Sequence, residues 1–368
     1  MQNYTSQHIK QIIAESGPIS FAEFMQYALY TPSTGYYMSN NYQIGKKGDF
    51  HTAPEISAMF GHCIANQINE YIRQNNEISI LELGPGSGKL AKDILENIKK
   101  PECIKKYLML ELSPSLKEKQ KETTKSISKV PISHISKLPT DFKGIIIANE
   151  VIDAMPVHRF KIANKLHEQY VELKNNELIP VFKPTKNKDL IEQVYALNLD
   201  LPLGYESEIN LALPSWINSL SDCLKQGIIL LIDYGYDQQE YYHPERNDGT
   251  LKCFHQQKAH NNPFINIGSQ DITAHVDFTK TAKAALKSNL EIEGYVEQAH
   301  FLLNLDLINI AQQYYAKDPL NSAKEMKLLT MPSEMGSLCK VLGLSKGITK
   351  TSLAGFCNYN KVESLFRI

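Results

Sequence analysis

Residues 81–90 of this 368-residue chain read Leu-Glu-Leu-Gly-Pro-Gly-Ser-Gly-Lys-Leu, so Gly84, Gly86 and Gly88 stand at alternate positions, with Glu82 two residues ahead of the first. Missing Cβ atoms at that spacing let a ligand reach the backbone and the N–H groups of a following helix. A phosphate cradle of the form G-x-x-x-x-G-K-[ST] fails twice: counting back from Gly88-Lys89 puts Leu83 at the first glycine and Leu90 at the hydroxyl residue. A dinucleotide fingerprint, G-x-G-x-x-G, needs glycine at position 89 and meets Lys89, which leaves an NAD-dependent oxidoreductase as the weaker reading. The remaining pattern, E-x-G-x-G-x-G with Pro85 and Ser87 inside the turn, suits a nucleoside without phosphates. Such a ligand wants hydroxyl acceptors, and Glu111, followed by Leu112, falls where an acid at a strand end takes both ribose hydroxyls.

Other polar groups gather at the same sheet edge. His134, after a third strand, is placed to flank an adenine. Asn149 ends an apolar run and is followed by Glu150 and Asp153, three apart. That one-turn spacing aims both carboxylates at one cation, and acids complementing a helix dipole account for the pair equally well. The segment Gly48–Ser57, GDFHTAPEIS, brings Asp49, Thr52, Glu55 and Ser57 to a helix start, where hydroxyl capping is an ordinary role. Asp233 and Tyr234 end another strand, and Asp271 and His275, four apart, are expected on one helix face. Cys253, His255 and His260 lack a second pair at ligand spacing, so no metal is expected. No G-x-S-x-G elbow presents a nucleophile.

These groups need rigid elements behind them. Apolar residues at helical spacing predict two short helices over residues ~4–30, the second with Ser20 as N-cap and Glu23 at N3. A third amphipathic helix runs through Ile56 to Ile72. From Ile78 short apolar runs alternate with helices: ISILEL, YLMLEL (Tyr107–Leu112), a brief strand at Val130–Ile132 and GIIIAN (Gly144–Asn149). Near-continuous apolar strands of this kind belong to a parallel sheet covered on both faces, a doubly wound α/β core. Residues 157–183 read as an antiparallel hairpin insertion. A helix over Leu213–Leu224 and the strand Gly227–Gly235 resume the sheet, and the Tyr/His/Asn/Pro-rich loop 236–267 is long enough to be a substrate lid. Expected after it are a helix (Phe278–Leu286), a strand (Leu290–Glu297), a helix (Phe301–Tyr315) and a last strand at Leu353–Tyr359. The expected division is an N-terminal helical region (1–75), a first half of the core (76–156), an insertion (157–212) and a second half (213–368).

Composition excludes other classes. Lys+Arg 39 against Asp+Glu 40 leaves a net charge of −1 with only four arginines, so no positive field awaits nucleic acid. A mean hydropathy of −0.31 without an apolar run near 20 residues argues against membrane insertion. The six cysteines never form C-x-x-C, which fits a reducing compartment.

GDFHTAPEIS, LELGPGSGKL, NEVIDAMPVHRF, LIDYG and GSQDITAHVDF follow one another in this order over nearly the whole chain. In this the sequence resembles the MidA-like family of class I S-adenosylmethionine-dependent methyltransferases, relatives of the mitochondrial complex I assembly factor that methylates arginine. The resemblance implies a Rossmann-like methyltransferase sheet with an added N-terminal helical region and hairpin and loop insertions. It implies S-adenosylmethionine as cofactor, held by Glu82, Gly84, Pro85, Gly86, Ser87, Gly88, Glu111, Leu112, Thr52, Ser57, His134 and Asn149. It also implies transfer to a protein side chain, arginine favoured, with Glu150 and Asp153 catalytic and a respiratory-complex subunit as a partner to consider. Ser87 departs from members carrying arginine there, and the missing presequence points to a bacterial-type, cytoplasmic protein. The oligomeric state is not legible. A non-catalytic assembly or scaffold protein that keeps the cofactor site is the competing reading.

Overall fold

The computed structural model describes residues 4–39, 52–348 and 353–367; Asp49 lies outside them. Seven strands form the main path of the central sheet: β1 (Ile78–Leu83), β2 (Ile104–Leu110), β3 (Ile132–Ile135), β4 (Phe142–Asn149), β5 (Leu224–Tyr236), β6 (Glu291–Glu297) and β7 (Cys339–Lys346), and the two-residue strand Val276–Asp277 pairs beside the end of β5. The seven lie in the order β3-β2-β1-β4-β5-β7-β6. The first five run parallel, and β7 is antiparallel to both β5 and β6. Because strand side chains alternate, Ile145 and Ile147 of β4 enter one apolar layer and Ile146 and Ala148 the other. Helices Ala58–Gln74 and Lys89–Asn97 cover the first face, and Leu213–Cys223 and Phe278–Lys287 cover the second. Burial of both faces explains why the strands read as unbroken apolar runs.

The N-terminal helices α1 (Tyr4–Ser16) and α2 (Phe21–Tyr30) form as expected. Ser20 and Glu23 make the reciprocal capping box that starts α2. The expected hairpin is part of a larger antiparallel sheet that joins His158–Lys161, His167–Lys174 and Glu177–Pro184 to Ile19–Ser20 and Glu206–Ile209.

Four expectations are corrected. The stretch 236–267 is not an irregular loop: it contains a short helix (Gln238–Tyr241) and the strands Lys252–His255 and Lys258–His260, which pair with each other, the first also pairing with Asp271–Thr273. Its Leu251, Cys253 and Ile267 pack against Ile9, Phe21 and Phe24 of α1 and α2. Asp271 is accordingly in a strand, and no helix face joins it to His275. The helix expected over Phe301–Tyr315 is broken at Asp306, whose φ of 73° starts a new one. Finally, the last strand is β7, and Leu353–Tyr359 instead holds the tight turn Ala354–Phe356. Gly294 of β6 and Gly343 of β7 are register partners. A Cβ on either would stand 2.4–2.5 Å from the Phe356 ring. The apolar run at 353–359 thus plugs a hollow in the sheet with one aromatic side chain.

Candidate active site

β1 is buried along its whole length and delivers the glycine turn to the carboxyl edge of the sheet. Gly84, Gly86 and Gly88 all have positive φ, at 60°, 53° and 80°, a region that disfavours any side chain. Gly84 N–H donates to Leu110 O at 3.2 Å, and Gly88 N–H to Pro85 O at 2.8 Å. Glu82 lies beneath the turn, accepts Tyr107 O–H at 2.7 Å and is pushed up to about 7 by burial. Glu111 follows β2; its Oε1 accepts Ser113 N–H at 2.8 Å and its Oε2 accepts Gln120 Nε2 at 3.0 Å.

Gln120 is a residue that motif reading missed. Its amide also donates to Gly86 O at 2.9 Å, so one side chain ties the glycine turn to Glu111. The available signal was periodic: Leu116, Gln120 and Thr124 form the buried stripe of an otherwise charged helix.

A cavity of about 250 Å³ opens between the ends of β1, β2 and β4. Besides Glu55, ten of the fourteen residues that the resemblance assigns to the site line it: Thr52, Glu82, Gly84, Pro85, Gly86, Ser87, Glu111, Leu112, Asn149 and Glu150. Four do not. Gly88 is the N-cap of Lys89–Asn97, and a Cβ there would meet Gln120. Ser57 caps the next helix through Met59 N–H and donates to Glu325 at 2.6 Å. His134 lies on the edge strand and bonds Gln120 Oε1 at 2.9 Å, which places it behind Gln120 and outside the lining. Asp153 is buried outside the lining. Tyr30, Tyr37 and Met38, which sequence reading did not single out, close the opposite wall.

Glu150 follows β4 in a left-handed conformation, φ 52°, that a residue with a side chain adopts only under constraint. Its N–H donates to Ile232 O at 2.8 Å. Its Oε1 accepts Asn149 Nδ2 at 3.2 Å and Ala53 N–H at 3.4 Å. Glu150 Oε2 and Asn149 Oδ1 are buried without a partner among the described residues. Burial, reinforced by Asp233, pushes the Glu150 carboxyl up to about 8. Asp233, at the end of β5, supplies the constraint: Oδ2 accepts the N–H groups of Val151, Ile152 and Asp153 at 3.2, 2.9 and 3.3 Å, and Oδ1 accepts Tyr234 N–H at 2.9 Å. Burial pushes the Asp233 carboxyl up to about 7 against the pull of these four N–H groups, and burial and then Asp233 raise Asp153 further still, so the proton of the buried pair rests on Asp153. The pairing of Glu150 with Asp153 on one helical turn is therefore corrected.

A mainly parallel sheet with one antiparallel strand inserted near its edge, and a glycine turn facing an acid at the end of the neighbouring strand, define a class I S-adenosylmethionine-dependent methyltransferase. The family model of S-adenosyl-L-methionine-dependent methyltransferases, Methyltransf_28, matches residues 63–296, and the chain belongs to that family. It is 28% identical to the mitochondrial protein arginine methyltransferase NDUFAF7 homolog of Drosophila melanogaster, over 95% of this chain and 86% of that protein. It is 27% identical to the Mus musculus NDUFAF7, over 89% and 81%. A Burkholderia thailandensis protein solved with S-adenosyl-homocysteine superposes with a TM-score of 0.92 at 29% identity, over 98% of this chain and 96% of that one. The cytoplasmic expectation is corrected by the same comparison, because these curated relatives are named as mitochondrial proteins.

Proposed function

We propose that this methyltransferase acts on an arginine side chain of a protein partner. The observation that carries the reading is the pair of buried acceptors without a partner among the described residues, Glu150 Oε2 and Asn149 Oδ1, on residues lining the cavity. Unmet acceptors at a cavity call for a donor-rich ligand, and a carboxylate and an amide oxygen suit a guanidinium. The relatives' names, protein arginine methyltransferase, support the same substrate class, and the family resemblance makes a respiratory-complex subunit the partner to try first.

The cradle also fits the cofactor. Positive-φ glycines open the backbone at Gly84 and Gly86, and Glu111, already fixed by Ser113 and Gln120, is placed to receive ribose hydroxyls. When bound, S-adenosylmethionine supplies the methyl group on its sulfonium. The chain's own work is to orient the acceptor nitrogen, exclude water and take a proton. An arginine nitrogen is fully protonated in water, so methylation requires an N–H proton to leave. Glu150, held rigid by the backbone geometry that Asp233 enforces, accepts that proton through Oε2. Asp153 acts behind it as part of the buried acid cluster rather than on substrate.

Incubating the protein with methyl-labelled S-adenosylmethionine and a lysate lacking the endogenous enzyme, then mapping the label, tests the assignment. Label on arginine of a protein is expected. Label confined to lysine, to another side chain or to small molecules overturns it.

A further inference from the structure

The outer wall of the cavity comes from outside the stretch matched by the family model. Tyr30 ends α2 and Tyr37 lies in the short turn Tyr36–Met38 that follows it. Their rings are stacked, with centroids 5.5 Å apart and planes at 30°. Both hydroxyls are engaged in anchoring: Tyr30 O–H donates to Ala154 O at 2.9 Å, and Tyr37 O–H donates to Asp271 Oδ1 at 2.7 Å. One face of each ring is taken by the other, and Tyr36 meets the Tyr37 ring edge-on at 5.0 Å, so what the pair offers a ligand is the ring surface left along the cavity, whose π-face attracts cations. The ionisable lining is mostly acidic: Glu55, Glu82, Glu111 and Glu150 stand against one base, Lys89, whose ammonium is already paired with Asp93 at 2.7 Å, and burial holds Glu82 and Glu150 above the ordinary carboxylate range, ready to give up a proton to an entering cation's field.

We propose that Tyr30 and Tyr37 form the platform on which the planar guanidinium lies while Glu150 and Asn149 accept its N–H groups, so that the N-terminal segment selects arginine over lysine. The proposal rests on the arginine reading and adds the residues that discriminate. A guanidinium is flat, weakly hydrated and able to stack; an ammonium is compact and strongly hydrated, and loses more on entering an aromatic wall. The hydroxyl bonds to Ala154 and Asp271 hold the platform against the chain that carries Glu150, so the stacking face and the acceptors share one frame.

Two adenosine conjugates with the same linker, one ending in a guanidinium and one in a primary ammonium, test this by titration into the full chain. S-adenosylhomocysteine serves as the control ligand for an intact cofactor site. The parent should bind the guanidinium conjugate about tenfold more tightly than the ammonium one, the ratio that ~1.4 kcal/mol gives. Tyr30→Leu and Tyr37→Leu should bring the two conjugates close to parity with S-adenosylhomocysteine affinity kept within a few-fold. Tyr37→Phe retains the ring and should retain the preference. If both leucine variants keep the preference, the platform is overturned and the arginine reading stands. If the parent binds both conjugates equally, the arginine reading itself fails. Should a leucine variant lose S-adenosylhomocysteine binding, Tyr30→Phe and Tyr37→Phe decide: a preference lost while the ring remains assigns selection to the hydroxyl anchors and overturns the platform.

Discussion

At the residue scale the proposed chemistry concentrates on one carboxyl group. Glu150 combines a strained backbone, an unpartnered oxygen and an upward shift to about 8, features that cluster where structure is constrained for function. Its sign for stability follows directly. The folded protein holds a proton on Glu150 that the unfolded chain has already lost above the ordinary carboxylate range. That contribution is full at low pH and disappears as pH rises through about 8. Glu150→Gln should remove this slope, so denaturant unfolding of parent and variant should favour the variant more at pH 9 than at pH 5. Methyl transfer should fall at least about tenfold, the loss of one charge-assisted contact of ~1.5–3 kcal/mol, while cofactor affinity stays within a few-fold. Parent turnover should rise with pH towards about 8 and the variant's should not; a pH–rate profile shared by both proteins would refute proton acceptance by Glu150.

At the element scale the decisive piece is the turn between β1 and the helix Lys89–Asn97. Its three positive-φ glycines are braced by Gln120 from the neighbouring helix. Gly86→Val places a branched side chain at φ 53°, at a cost of ~1–3 kcal/mol, and puts its methyls on the cavity surface. Isothermal titration with S-adenosylhomocysteine should show binding abolished, and circular dichroism should show the fold retained. Undiminished binding would mean that the cofactor lies elsewhere. The same scale explains the misread strand at 353–359. Its apolar residues signal burial correctly, but burial through the Phe356 ring against Gly294 and Gly343 carries no two-residue period. Strand β7, by contrast, is buried on both faces through Ser345, so it shows neither alternation nor a long apolar run.

At the scale of the whole molecule, three parts of the chain converge on one cavity: the sheet edge, the short helix Ala53–Ile56 and the N-terminal helices. A ligand that bridges these parts binds only the folded protein and must stabilise it. At a hundredfold excess over its Kd, S-adenosylhomocysteine should add ~2.7 kcal/mol of stability and raise Tm in a scanning experiment. NAD at the same concentration should leave Tm unchanged, because Lys89 stands where the dinucleotide fingerprint needs glycine. A shift with NAD and none with S-adenosylhomocysteine would reverse the cofactor assignment.

The sequence by itself determined whatever depends on near neighbours: the buried strands, the glycine turn, the capping box at Ser20 and Glu23, and the acids that follow β2 and β4. These are periodicities and short spacings, and the backbone reads them locally. Only the tertiary structure decided which of those acids line the cavity. Asp233 lies 80–82 residues from three of the four N–H groups it receives, and no spacing rule links it to the strained turn that carries Glu150. Tyr37 reaches Asp271 across 234 residues, and Tyr30 reaches Ala154 across 124. His134 and Asp153 carry suitable chemistry at suitable strand ends. Packing between distant segments leaves both outside the cavity lining, His134 against Gln120 and Asp153 buried beneath.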